Sequence, residues 1–222
     1  VTKKENVLKG IQLFEKIPPK YVRGICKIGI PTALQGMAYC MISMVLTRMV
    51  SGFGAEAIAT QRVGGQIESV SWNTADGFGA ALNAFIGQNY GAGKMDRVKK
   101  GYRASLITVG VWGLFITLLF VCFPEQISGV FFHEPTAIAT AVGYMIIIGY
   151  SEAFMSVELM TVGALSGLGK THLCSVISIT LTSARIPLAI LLSGTALGLL
   201  GIWWALTATS VVKGIVFAMA FY

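Results

Sequence analysis

The chain has 222 residues, of which 55% are hydrophobic and only 12% are charged. An ordinary soluble domain is about a quarter charged, so this composition excludes a typical water-soluble globule. A membrane-spanning helix needs roughly 20 apolar residues, and six such helices with short loops would use the whole length. The formal net charge of +7 therefore predicts membrane orientation and not a nucleic-acid partner.

The first predicted element is a cytoplasmic amphipathic linker, residues 1–27, which carries lysines and arginines and no apolar run. The first span follows at 28–50. Residues 28–47 contain no charge, which corresponds to about 30 Å of helix and one full crossing.

The second predicted span, 57–90, is unusually polar. Glu68 and Asp76 are eight positions apart, or about 80° around a helix, so they can share one broad face with Asn73. Ionisable groups inside a span are costly and usually functional, so this face would line water or another protein surface. The alternative for Glu68 is a place near the outer interface, or a pair with Arg62.

Four more spans are predicted at 103–123, 137–168, 173–193 and 199–221. Glu158 lies in the middle of the fourth span and is a candidate proton acceptor. Glu152 precedes it by six residues, about 120° around the helix, so the two acids are not expected to share a site. Arg185 enters the fifth span and could neutralise either acid, and a static ion pair with Glu158 is the alternative to a transport role.

The basic residues predict the orientation of these spans. With six spans, 13 of the 17 lysines and arginines fall on one side, and the loops at 124–135 and 193–198 on the other side contain none. By the positive-inside rule both termini are then cytoplasmic.

Several short motifs are weak. Residues 167–171, GLGKT, resemble the end of a phosphate-binding loop, but Ala164 stands where its first glycine is required. His133 and His172 have no second ligand at metal spacing, so no metal site is expected. Three glycine pairs have G-x-x-x-G spacing, which indicates close helix packing at most and does not imply dimerisation. They are Gly87 with Gly91, Gly163 with Gly167, and Gly194 with Gly198.

A longer set of motifs resembles the multidrug and toxic compound extrusion (MATE) family. Residues 77–81 (GFGAA) and 87–94 (GQNYGAGK) are similar to its repeated signature. Further similar segments are 29–31 (GIP), 163–171 (GALSGLGKT), 185–189 (RIPLA) and 201–205 (GIWWA). The resemblance implies a secondary antiporter of twelve helices in two six-helix lobes, which exchanges cations for drugs or metabolites. This chain resembles the C-terminal lobe with its preceding linker.

Two positions depart from parts of the family. Some members carry a glutamate eight residues after the helix-one proline, where this chain has Tyr39, with Gln35 four residues after Pro31. Others carry an aspartate eight residues before the glycine that Gly163 matches, where this chain has Met155. The chain is more similar to branches whose coupling acid lies in the first lobe, so Glu158 would be a supporting residue or an alternative proton site.

The leading hypothesis is an all-α membrane protein, a six-transmembrane-helix bundle, that forms the C-terminal half of a cation-coupled multidrug efflux antiporter. It would be no enzyme and need no cofactor, with H+ or Na+ as the coupling ion. The expected partners are small organic cations, the lipid bilayer and an N-terminal six-helix lobe, and the expected location is the plasma membrane, as a bacterial inner-membrane protein. The candidate cavity or coupling residues are Gln35, Tyr39, Asn73, Asp76, Met155, Glu158 and Arg185.

Two alternatives remain open. A lipid-linked sugar flippase of related build would be expected to carry more cavity arginines than Arg185. A non-transporting membrane subunit, with a role in interaction only, would fit the same hydropathy.

Overall fold

The computed structural model describes residues 18–222, which form an all-helical bundle. Its helices are α1 (Pro19–Ser51), α2 (Ala55–Gly91), α3 (Met95–Cys122), α4 (Pro124–Phe131), α5 (Pro135–Gly149), α6 (Glu152–Gly167), α7 (Thr171–Ser183), α8 (Arg185–Ser193) and α9 (Leu199–Phe221). Most of the predicted linker lies outside the described residues. Its last part, 19–27, belongs to α1, which begins with a proline in its first turn.

Six long segments follow one another in the predicted order: α1, α2, α3, α5 with α6, α7 with α8, and α9. Among the described residues, four of them are long and apolar enough to cross a membrane, and α5 with α6 makes a fifth if this bent pair is one span. The remaining segment, α2, is 37 residues long but polar. The short helix α4 occupies part of the loop predicted at 124–135.

The predicted fourth span is not one straight helix, because α5 and α6 meet at an angle of 49°. At the break, the N–H of Ser151 donates to the Ile148 carbonyl, 2.8 Å away. The Ile147 carbonyl accepts a hydrogen bond from the Thr207 hydroxyl on α9, also at 2.8 Å. A broken helix is tolerated in a membrane where a neighbour satisfies its backbone in this way.

Helix α6 lies at the centre of the bundle, packed against α2, α3 and α9. Its contact with α2 depends on small residues. A Cβ atom on Gly163 would overlap the backbone of Gly79, and one on Gly167 would lie 2.6 Å from the Asn83 carbonyl oxygen. The close packing predicted from the glycine spacing is confirmed for Gly163 and Gly167. It is not found at Gly91, where a Cβ would meet nothing within 4 Å, or at Gly194, where a Cβ would meet only its own helix.

Contacts at the two ends of the bundle show which loops lie at the same end. At one end, the ring of Phe53 lies 3.5 Å from the point that a Cβ atom would occupy on Gly198. At the other end, Phe221 stacks on Tyr102 with ring centroids 3.6 Å apart, so the C-terminus lies beside the start of α3. The loop after α2 and the loop after α6 belong to this second end, which carries Lys20, Arg23, Lys27, Lys94, Arg97, Lys99, Lys100, Arg103 and Lys170.

Candidate functional site

Within residues 18–222, the interior of the bundle contains five acidic or basic side chains, which we call the interior charge cluster. They come from α2, α6, α8 and α9 and are Glu68, Glu152, Glu158, Arg185 and Lys213. Glu68 is half-buried and the other four are buried. A charge inside a membrane protein is costly unless it has a partner, so the partners of each side chain define what it can do.

Glu158 has a fixed counter-ion. The Lys213 ammonium lies 2.5 Å from Glu158 Oε1, and both side chains are less than a tenth exposed. The pair predicted between Glu158 and Arg185 is therefore not found in the described part of the chain. Sequence reasoning missed Lys213. The available signal was that Lys213 is the single lysine inside the otherwise uncharged sixth predicted span.

Arg185 uses hydroxyl groups of α9 as its partners. Its Nε donates to Thr209 Oγ1 at 3.0 Å, and its Nη2 donates to Ser210 Oγ at 2.8 Å. These bonds fasten α8 to α9 and turn the guanidinium into the bundle. Arg185 also lies within electrostatic range of Glu68 and Tyr39.

Glu68 faces the packed side of α2, in line with the buried residues Gly64 and Ser71. Its Oε2 accepts a hydrogen bond from the Tyr144 hydroxyl of α5 at 3.2 Å. The alternative pair with Arg62 is absent from the described residues, in which Lys213 and Glu158 form the ion pair.

Glu152 is the first residue of α6, directly after the break, and is 0% exposed. Neither of its carboxyl oxygens has a hydrogen-bond partner within residues 18–222. Glu68 acts on it electrostatically, and Ser71 Oγ lies beside its carboxyl without forming a geometrically acceptable hydrogen bond. Glu152 and Glu158 thus face different partners on α2 and α9.

The predicted residues of α2 lie outside the interior charge cluster. Asn73 and Asp76 are exposed on the surface of the bundle, and the neighbouring Trp72 is 44% exposed. The expectation that Glu68 shares a face with Asn73 and Asp76 is wrong, because Glu68 is on the packed stripe and the other two are beside it.

The predicted residues of α1 and α6 lie in three different surroundings. Tyr39 is 49% exposed and lines a groove of about 510 Å³ between α1 and α2. Gln35 instead faces α7, where its amide donates to Ser178 Oγ at 3.1 Å. Met155 is half-buried. The other residues that line the groove are Cys40, Ser43, Met44, Thr47, Val50, Ile58, Gln61 and Arg62.

The lobe therefore has an outer polar surface and a separate interior charge cluster. Tyr39 lies between the two, because it lines the groove and is within electrostatic range of Arg185, Glu68 and Glu158. Within the described residues, no group of three or more histidine, cysteine or acidic side chains could hold a metal ion. The arrangement suits the binding of a small ligand at the surface and of a proton inside.

Comparison with known proteins agrees with this description. The MatE family model matches residues 31–191. A probable multidrug resistance protein NorM of Thermotoga maritima is 29% identical over 196 residues, which are 86% of this chain and 42% of the relative. A probable multidrug resistance protein YoeA of Bacillus subtilis is 25% identical over 203 residues, which are 88% of this chain and 42% of the relative.

Among solved structures, the crystal structure of MATE in the straight conformation superposes with a TM-score of 0.87 at 18% identity. The match covers 98% of this chain and 50% of that one. The chain thus spans about half the length of the proteins that it matches, and the superposition establishes the shared fold.

Proposed function

Because the chain belongs to the MatE family, we propose that it forms the C-terminal half of a cation-coupled efflux antiporter for small organic compounds. Members of this family are membrane transporters and not enzymes. Its partner in this proposal is a second six-helix lobe. Its substrates are organic cations, and its coupling ion is H+ or Na+.

The position of Asp76 carries the proposal. Asp76 is exposed although it lies 15 residues before the end of α2, or about 22 Å along the helix axis. A carboxylate at that depth is too costly to face lipid, so it needs a water-filled cavity or another protein surface. A cavity between two lobes supplies both.

The acidic and aromatic side chains of this surface favour a cationic substrate, while Arg62 adds one positive charge to the groove. Asp76 contributes a negative charge, and the exposed rings of Trp72 and Tyr39 offer faces for cation–π contacts. The groove beside Tyr39, about 510 Å³, is within the usual size range of small-molecule sites, roughly 300–1,000 Å³. Aromatic and thioether side chains such as Met44 adapt to ligands of different shape.

Transport then follows from a difference in affinity between two states. An acid that binds a cation more tightly when the cavity opens to one side biases the rocking of the two lobes. We place the protein in the bacterial inner membrane with both termini in the cytoplasm, because the basic residues gather at the end of the bundle that holds the C-terminus.

The flippase alternative is less well supported. It depends on arginines that face the cavity, and Arg185 is turned inward and held by Thr209 and Ser210. If the experiment below shows no transport, the alternative of a non-transporting membrane subunit is favoured.

The test is transport by the protein expressed from its complete reading frame in an efflux-deficient bacterial strain. Inside-out vesicles receive a pH gradient or a Na+ gradient separately, and ethidium movement is followed by fluorescence. We expect one gradient to drive ethidium transport. We expect Asp76→Asn to lower it about tenfold, equivalent to about 1.4 kcal/mol of lost binding, and the exposed loop-side control Asp96→Asn to leave it unchanged.

No ethidium movement under either gradient, at normal expression, would contradict the antiporter proposal. Equal loss in the two variants would show that Asp76 does not face the cavity.

A further inference from the structure

We propose that Glu152 holds one exchangeable proton at the break between α5 and α6, with Glu68 as the nearby acid whose charge sets the proton affinity. This proton site in the lobe is distinct from the Glu158 and Lys213 pair. The binding of a proton at this site does not depend on the proposed transport function. A role of the site in coupling rests on the function proposed above.

The geometry at Glu152 requires a partner that the described residues do not supply. Its side chain is fully buried, and both of its carboxyl oxygens lack a hydrogen-bond partner there. The buried hydroxyls of Ser71 and Ser156 are also unpartnered within residues 18–222. A charged carboxylate in such surroundings would be costly, whereas a protonated one is neutral and gains a donor.

The charged groups on the neighbouring helices do not neutralise Glu152. Lys213 of α9 is paired with Glu158, and Arg185 of α8 donates to Thr209 and Ser210. The charged group that acts on Glu152 is Glu68 of α2, which has the same sign. The positive end of α6 favours a negative charge on Glu152, but by less than the cost of burying that charge.

The two acids are not equivalent. Glu68 accepts a hydrogen bond from the Tyr144 hydroxyl and lies in range of the Arg185 charge, so its negative form has support. Glu152 has neither, so it holds the proton when one is bound. Among the described residues, this pair belongs to no group of three or more histidine, cysteine or acidic side chains that could hold a metal ion.

The site links α2 to both sides of the helix break. Tyr144 precedes the break on α5 and Glu152 follows it on α6, while Glu68 and Ser71 belong to α2. Loss of the proton leaves two like charges in a medium of low dielectric constant, where repulsion is strong. Deprotonation would therefore push α6 away from α2 at the point where the span already bends by 49°.

Infrared difference spectroscopy on the purified full-length protein tests the proton site. We expect a C=O stretching band of a buried protonated carboxylic acid, which disappears as the pH is raised and does not respond to Na+ at constant pH. Glu152→Gln should remove the band and Glu68→Gln should shift its pH midpoint. The exposed control Glu125→Gln should change neither.

Persistence of the band in Glu152→Gln, or its absence from the unmodified protein, would overturn the proton site. Should Glu152→Gln fail to fold, an unchanged midpoint in Glu68→Gln would overturn the influence of Glu68 on the proton site. Loss of the band on addition of Na+ at constant pH would overturn the proton site and indicate a site for a metal cation.

Ethidium transport in the same variants tests the coupling role separately. We expect Glu152→Gln to bind ethidium normally but to lose most transport driven by a pH gradient. Transport at the unmodified rate, with the band absent, would overturn coupling and leave the antiporter proposal untouched.

Discussion

Lys213 Nζ lies 2.5 Å from Glu158 Oε1 in the interior of the bundle, where both side chains are nearly inaccessible. A tethered ammonium thus occupies the place beside a mid-span acid that a mobile cation would otherwise take. Because the counter-ion is part of the chain, we assign the pair a role in holding α6 against α9.

This pair predicts a large effect on stability. Lys213→Met should lower the free energy of unfolding by about 3–5 kcal/mol, because it leaves the Glu158 charge buried without its partner. Adding Glu158→Gln to Lys213→Met should restore most of the loss, since no charge then remains. Thermal unfolding in detergent measures both.

The exposed Lys170 supplies the control, and Lys170→Met should leave the unfolding temperature within error. If the double variant were no more stable than Lys213→Met alone, the ion pair would not be the source of the effect.

The contact of α6 with α2 predicts a sharp dependence on size at Gly163. Gly163→Ala should destabilise the protein by about 1–3 kcal/mol, because the added methyl group meets the Gly79 backbone, which cannot move aside. Gly65→Ala is the matched control, since a Cβ at Gly65 meets nothing within 4 Å. We expect it to be neutral or slightly stabilising in chemical denaturation. Equal effects at the two positions would contradict the packing described here.

The hydroxyl partners of Arg185 predict a smaller loss. Ser210→Ala removes the acceptor of the Nη2 bond and should cost about 1–3 kcal/mol, because a buried charged donor is left unsatisfied. Ser183→Ala, at an exposed position two residues before Arg185, serves as the control. A Ser210→Ala protein as stable as the control in thermal unfolding would show that Arg185 finds another acceptor.

The orientation proposed for the lobe can be read from cysteine labelling. In a background with the four native cysteines replaced by serine, Asp96→Cys and Glu134→Cys place single exposed thiols at opposite ends of α3 and the following loop. A membrane-impermeant maleimide added to intact cells should label Glu134→Cys only. Labelling in inside-out vesicles should favour Asp96→Cys, and the reverse pattern would place the termini outside.

Sequence reasoning succeeded where one-dimensional patterns are sufficient. The order of the six long segments follows from uncharged runs and basic loops, and the glycine spacing at Gly163 and Gly167 anticipated the approach of α2. It failed for the break after Gly149. The Ile147 carbonyl at this break is satisfied by the Thr207 hydroxyl of α9, which is 60 residues from Ile147 in the sequence.

The candidate site was only partly visible for the same reason. Helical geometry placed Glu158 in mid-span and separated it from Glu152, but the partner of each acid is on another helix. Lys213 is 55 residues from Glu158, and Tyr144 is 76 residues from Glu68. Periodicity within one helix carries no information about such pairs.

The sequence by itself determined the class of protein, the number and order of its long helical segments, and the family that its motifs resemble. Hydropathy, charge placement and glycine spacing are properties of the chain that need no partner. Only the tertiary structure decided which charges are paired, that Asp76 is exposed near the middle of α2, and that Glu152 is buried with no hydrogen-bond partner among residues 18–222. Burial and pairing depend on how separate helices pack, and that packing lies outside any local pattern.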